Sequence, residues 1–433
     1  MNYWDKKGVI MTPQIKQRLD PIQRGEVPKG YKRTKVGIVP SDWEETRFKR
    51  MFSRLSRKNK ENNDNVLTIS AQYGLISQRD FFNKDIASED KTNYFLLHKG
   101  EFAYNKSYSN GYPFGALKRL DMYEKGIVSP LYICFSANEE NRCPDFYVHY
   151  FEAGMMNREI QAFAQEGARN HGLLNISVDD FFNSYLLMPP LSEQQKIAEI
   201  LSAQDKLIAL KEKLIEEKKR QKKYLMQQLL TGKKRLPGFS GEWEKKKIKD
   251  ICIDVITGNT PSKKDEALWN GKFPWITSQD FCGKYINQSS VTLSPMGKEQ
   301  CRVVPAKSVL ITCIASIGLN AITNIECATN QQINAVVCAS EEVAEYVYYH
   351  MEMQVETMKR LAGKTAVPII NKSQFENFPI IFPHDNAEMK KIVEYLSAYD
   401  KEIELLDMQL NQEKQKKKAL MQLLLTGIVR VNV

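Results

Sequence analysis

Residues 193–232 occur twice. Leu201-Ser202-Ala203-Gln204-Asp205 returns as Leu396-Ser397-Ala398-Tyr399-Asp400, and Leu225-Met226-Gln227-Gln228-Leu229-Leu230-Thr231-Gly232 returns as Leu420-Met421-Gln422-Leu423-Leu424-Leu425-Thr426-Gly427, both at an offset of 195 residues. The copies align without a gap and about half of their 40 positions are identical. A repeat of that length signals a duplicated architecture.

Each copy reads as a long helix. In the second, Ile392, Leu396, Tyr399, Ile403, Leu406 and Leu410 alternate at spacings of four and three, and Glu413 and Lys417 interrupt before Leu420 and Leu424 resume. In the first, Ile200, Ala203, Leu207, Leu210 and Leu214 form one stripe, with Ile197, Leu201, Ile208 and Ile215 beside it. Neither copy has an internal Pro or Gly, and Gly232 and Gly427 stand where a helix C-cap is expected. Two amphipathic helices that pack on each other are predicted. A helix of about 40 residues spans roughly 60 Å, so the first should carry the chain from one folded unit to another. The second should then run back antiparallel, making a rigid bar with a domain at each end.

The polar, basic residues 1–38 read as an N-terminal arm with at most a short helix, partly disordered. A first globular unit is expected over 39–190, the first long helix over 191–232, a second unit over 237–385 and the second helix over 386–427. Trp43-Glu44 and Trp243-Glu244 open the two units 200 residues apart. In both, a turn enters a strand (residues 99–104 and 306–311), a loop of small residues follows (107–111 and 315–318), then apolar alternating runs (126–135 and 333–338), then a helical stretch (145–163 and 341–361). The fold class is α+β, as two tandem copies of one domain-plus-helix module.

With 433 residues the chain is long enough for two or three cored domains. Its net charge of +10 suits a polyanionic partner such as nucleic acid, and equally a basic protein with no such ligand. The eight cysteines contain no Cys-x-x-Cys pair, which favours reduced, buried thiols over zinc or disulfides. With no signal-peptide core and no apolar run of transmembrane length, a cytoplasmic protein with no membrane partner is expected.

No catalytic constellation emerges. Met188-Pro189-Pro190-Leu191 lacks the Asn/Asp that an adenine methyltransferase motif requires, Gly363-Lys364-Thr365 has Met358 where a phosphate loop needs its first Gly, and the five histidines lack metal-ligand spacing. What recurs is basic, amide and hydroxyl side chains mixed with aromatics, suited to phosphate contact and base-edge readout. In the first unit the candidates for DNA contact are Tyr104, Asn105, Lys106, Ser107 and Tyr108, Lys118 and Arg119, and Arg169, Asn170 and His171. In the second they are Thr257, Asn259, Thr260, Ser262, Lys263 and Lys264, Thr277 and Ser278, Asn330, Gln331 and Gln332, and Lys364 and Thr365. Arg169, Asn170 and Gln331 have the chemistry to specify bases. For each of these residues a solvated loop or turn is the competing reading.

From end to end the chain resembles the specificity subunit of type I restriction-modification systems. The resemblance is carried by residues 28–37 and Val39-Pro40-Ser41-Asp42-Trp43-Glu44, by Leu191-Ser192-Glu193-Gln194-Gln195-Lys196-Ile197, by Gly258-Asn259-Thr260-Pro261-Ser262 through Trp269 to Pro274-Trp275-Ile276, and by Ala328-Thr329-Asn330-Gln331-Gln332. The second helix departs from it, beginning Ala387-Glu388-Met389-Lys390 without the double Gln, and the first domain lacks the Gly-x-Thr-Pro-Ser signature. The resemblance implies two target recognition domains, each mixed α/β with a curved sheet, separated by two long antiparallel coiled-coil helices. Each domain would read half of a bipartite site in double-stranded DNA, and the helix pair would set the spacer. It also implies two methylation subunits docked on the chain and restriction subunits joining through the complex. The chain itself would be non-catalytic and hold no cofactor, with S-adenosylmethionine, ATP and Mg on its partners. A subunit serving methylation only, a coiled-coil scaffold joining two protein-binding domains and a self-sufficient enzyme are the competing readings.

Overall fold

The computed structural model describes residues 12–70, 74–82, 91–108, 111–166, 174–363 and 366–432. The chain divides into two compact units, Met1–Lys211 with Gln409–Val433, and Glu212–Met408. Two continuous 39-residue helices, Leu191–Leu229 and Asn386–Leu424, each contribute to both units.

In the first unit a four-stranded antiparallel sheet runs in the order Phe52–Leu55, Ile133–Ala137, Phe102–Asn105, Ala116–Arg119. Its core is aromatic: Phe48, Phe52, Phe102, Phe135 and Phe181 are fully buried, and Phe48 stands 4.7 Å from both Phe52 and Phe181, centroid to centroid. Glu44–Arg47 pairs with Tyr185–Met188, bringing the entry of the domain beside its exit into the long helix. The helix Pro13–Gln23, within the expected arm, buries Leu19 against Leu423 and Ile428.

The second unit repeats the scheme. Cys252–Thr257, Ile333–Cys338, Val309–Thr312 and Asn320–Thr323 form the same antiparallel order, extended by Tyr285–Ile286 in parallel. Trp243–Lys247 pairs with Pro379–Pro383 as Glu44–Arg47 does with Tyr185–Met188. A second sheet, Val291–Leu293, Trp269–Ile276, Cys327–Thr329, Val303–Val304, has no counterpart of that order among the described residues of the first unit. The weak similarity between the domains therefore reflects a common strand order.

Two expected helical stretches are each broken. Pro144–Glu152 and Asn157–Phe163 are separated at Gly154, whose φ of +69° lies in the left-handed region that ends helices. Glu341–Met353 and Val355–Ala362 part at Gln354. The apolar run 126–135 is two strands, Lys125–Val128 and Ile133–Ala137, because Ser129 and Pro130 turn the chain between them.

Within each unit the long helices run antiparallel. In the first, Gln204 donates to the Glu413 carboxylate (2.8 Å) and Lys211 to Gln409 Oε1 (2.9 Å). In the second, Lys218 pairs with Glu402 (2.7 Å) and Lys222 with Asp400 (2.8 Å). Of the two stripes read on the first helix, Ile197, Leu201 and Ile215 are buried, whereas Leu207, Leu210 and Leu214 are exposed. Periodicity locates an apolar stripe but not the neighbour that covers it.

Candidate nucleic-acid interface

Each domain is fastened to its helix ends by the same constellation. In the first unit Glu193, 1% exposed, accepts Trp43 Nε1–H (2.8 Å) and a two-pronged hydrogen bond from Arg430 (2.7 and 2.9 Å), whose remaining N–H groups reach Asp42. In the second, Glu388, also 1% exposed, accepts Trp243 Nε1–H (3.0 Å) and both prongs of Arg235 (2.6 Å each). Glu193 and Glu388, and likewise Arg235 and Arg430, are 195 residues apart. The fork geometry of Arg matches a carboxylate and is among the stronger polar contacts. Asp42 sits well below the usual carboxylate range, chiefly through its hydrogen bond from Arg430. Sequence reasoning missed these clasps, although extending the 195-residue offset three positions past Gly232 and Gly427 aligns the two arginines. The departure at the start of the second helix is local: Gln194 donates to Pro189 O (2.7 Å), and its counterpart Met389 is instead buried in the apolar core.

A second joint lies further along each helix. His149 Nε2 is 3.0 Å from Ser202 Oγ, and its Nδ1 is 3.7 Å from Asp205, which pairs with Lys417 at 2.5 Å. The residue types are those of a catalytic triad, but the second unit builds the same joint with Tyr349, whose hydroxyl donates to Asp400 (2.5 Å) and lies 3.1 Å from Ser397 Oγ. The shared role is to dock domain on helix. Burial lowers the pKa of His149, opposed by Asp205.

Several candidates of the first unit are structural. Tyr104 is fully buried, stacks on Phe181 at 5.0 Å and donates to Phe114 O (2.7 Å), so it belongs to the core and cannot face a duplex. Lys118 is 12% exposed and neutralised by Glu152, with a further bond to Tyr112 (2.9 Å). Arg119 is held between Asp121 (2.7 Å) and Asp145 (2.6 Å). Both cations are paired with carboxylates, which compete with any phosphate for them. Asn105 accepts from the Ser107 backbone N–H (3.1 Å), fixing a turn in which Lys106 and Ser107 are half-buried and Tyr108 is exposed. Arg169, Asn170 and His171 lie outside the described residues, as do Lys364 and Thr365 in the second unit.

In the second unit the structure brings the candidates of two separate stretches together. The loop after the strand Cys252–Thr257 lies against residues 329–332, with Gly258 N–H on Ile333 O (3.1 Å) and Asn259 N–H on Thr329 O (2.9 Å). Only glycine fits at 258, where a Cβ would stand 2.3 Å from Asn330 O. Thr260 donates to Gln331 Oε1, and Gln331 is exposed. Asn330 is 8% exposed and uses both ends of its amide on Gln332. Asn259 likewise spends its amide on Gln300 O (2.7 Å) and the Arg302 backbone N–H (3.0 Å). Asn259, Asn330 and Gln332 thus shape the loops rather than project from them. Thr257 donates to Asn334 (2.7 Å), and Thr277 caps a turn closed by Asp280, with Ser278 half-buried beside it. Ser262, Lys263 and Lys264 are exposed, and the two lysines have no carboxylate within ion-pair distance among the described residues. This arrangement suits binding, with free cations and an oriented amide on a fixed loop platform.

All eight cysteines are free, and burial pushes Cys134, Cys313 and Cys338 up to about 12. No described helix is long and apolar enough to cross a membrane. Among the described residues no group of three or more His, Cys, Asp or Glu is placed to hold a metal ion.

A family model described as "Type I restriction modification DNA specificity domain" matches residues 40–220 and 240–414. The putative type I restriction enzyme MjaX specificity subunit of Methanocaldococcus jannaschii is 24% identical over 424 residues, covering 93% of this chain and 97% of that protein. The MjaIX specificity subunit of the same organism is 32% identical over 170 residues, so there the chain spans only 39% of its relative's length. A solved structure described as "Structural basis underlying complex assembly and conformational transition of the type I R-M system" has the same fold at a TM-score of 0.58 and 17% identity, over 90% of this chain and 99% of that one.

Proposed function

The chain belongs to the family of type I restriction-modification DNA specificity domains, which its sequence matches twice, and from that premise we propose that each domain reads one half of a bipartite target in double-stranded DNA. The observation that carries this is the doubled match, one copy on each of two domains of common strand order. The platform of residues 257–264 and 329–332 supports it for the second domain, since exposed lysines suit phosphates and Gln331 suits base edges. The long helices act as the spacer between half-sites and as the dock for two methylation subunits. In support of docking, Leu207 and Leu210 stand exposed on the first of these helices, in the first unit. Restriction subunits join through the same complex. The chain itself performs no chemistry: S-adenosylmethionine, ATP and Mg belong to the partners, and its role is to hold DNA in register for them.

Mapping methylated adenine across the genome of cells that carry this chain with its methylation partner, against cells lacking only this chain, tests the proposal. Loss of a motif made of two short half-sites around a fixed spacer is the expected result. Unchanged methylation, together with no DNA binding by the reconstituted complex, would favour a scaffold for two protein-binding domains.

A further inference from the structure

On the second domain, the residue best prepared to read a base is one that sequence motifs pass over. Arg302 follows the helix Pro295–Glu299 and precedes the short strand Val303–Val304. Its backbone is pinned because its N–H donates to Asn259 Oδ1 (3.0 Å) while the same amide donates to Gln300 O (2.7 Å). Its guanidinium is aimed because Nη1 donates to Thr257 O (2.7 Å), at the end of the strand Cys252–Thr257 on the edge of the five-stranded sheet. The side chain is exposed, and no carboxylate lies within ion-pair distance of it among the described residues. Arg119 in the first unit is, by contrast, held between two aspartates.

We propose that Arg302 is a specificity-determining residue that reads a guanine through its O6 and N7. An arginine fixed at backbone and guanidinium keeps a planar fork of N–H groups that matches this acceptor pair, whereas the unanchored Lys263 and Lys264 suit phosphates as point charges. Asn259, itself a motif residue, acts on readout indirectly by stapling the Arg302 segment to the loop. The inference rests on the second domain being a DNA reader.

The test compares adenine methylation motifs in cells carrying the wild-type chain, Arg302→Ala or Arg302→Lys. The expected result is loss of preference at one guanine in one half-site, with the spacer and the other half-site unchanged, in both variants. An unchanged motif in Arg302→Ala overturns the assignment, as does a uniform fall in methylation at every site, which marks a phosphate contact. Should both variants abolish methylation, competition binding of their complexes to duplexes substituted at each target position decides. Discrimination at one guanine falling by roughly 5- to 150-fold in Arg302→Lys supports base reading, and equal weakening for every duplex overturns it. A wild-type chain that directs no two-part motif overturns both this assignment and the proposed function.

Discussion

His350 lies fully buried in the second unit, with Nε2 accepting the Ile381 backbone N–H at 3.1 Å. Burial pushes its pKa down to about 4, while an unfolded histidine titrates near 6.5. The neutral form is therefore favoured by folding. Above pH 6.5 this stabilisation is fully present, and between 6.5 and about 4 the unfolded chain takes up a proton that the folded one refuses, so stability falls as pH falls. The loss should reach on the order of 3 kcal/mol. Denaturant melts from pH 7 to pH 4 should show this slope, and His350→Gln should flatten it; an identical slope in the variant would show that other groups govern the acid limb. Single residues are also where sequence says least about availability. Tyr104, Lys118 and Arg119 have the right chemistry for DNA, but Phe181, Glu152 and the Asp121–Asp145 pair claim them, and such partners are brought close by folding.

At the scale of elements, the ends of the long helices hold the domains. Arg430 follows the second helix yet closes on Glu193, near the start of the first, and both lie in one unit. Removing the arginine strands a carboxylate that is 1% exposed. Arg430→Met should cost roughly 2–4 kcal/mol, somewhat below the range for a fully buried pair because Arg430 is 38% exposed. Glu193→Gln added to it should recover part of the loss, since an amide costs less to bury than an unpaired charge. Equilibrium unfolding of the four chains of this cycle measures the coupling, and simple additivity would mean that the clasp contributes nothing. The helices were legible because a four-and-three spacing over 39 residues has few other solutions. The buried face of the first was not, since two adjacent stripes satisfied the same periodicity, whereas on the second helix Ile392, Leu396 and Leu410 of the single stripe are buried.

For the whole molecule, the proposed spacer role carries a length rule. Removing seven residues from each long helix shortens it by about 10 Å at 1.5 Å per residue, which corresponds to about three base pairs of duplex at 3.4 Å each. Matched deletions of residues 212–218 and 402–408 should shorten the spacer of the methylated motif by about that amount and leave both half-sites intact. Methylation mapping reads both quantities at once. Altered half-sites with an unchanged spacer would remove the helices from that role.

The sequence by itself determined the duplication, the two long helices and the family, because these are carried by long periodic stretches and ordered motifs that need no knowledge of contacts. It also singled out residues 257–264 and 329–332, whose motif residues the fold brings together. Only the tertiary structure decided which members of those motifs face outward. Asn259 and Asn330 turn inward to hold loops, Gln331 turns outward, and Arg302 becomes available because its neighbours fix it without neutralising it. Charge and hydrogen-bonding capacity are properties of a residue and can be read along the chain. Whether that capacity is already spent depends on groups distant in sequence, and only their approach in the folded chain decides it.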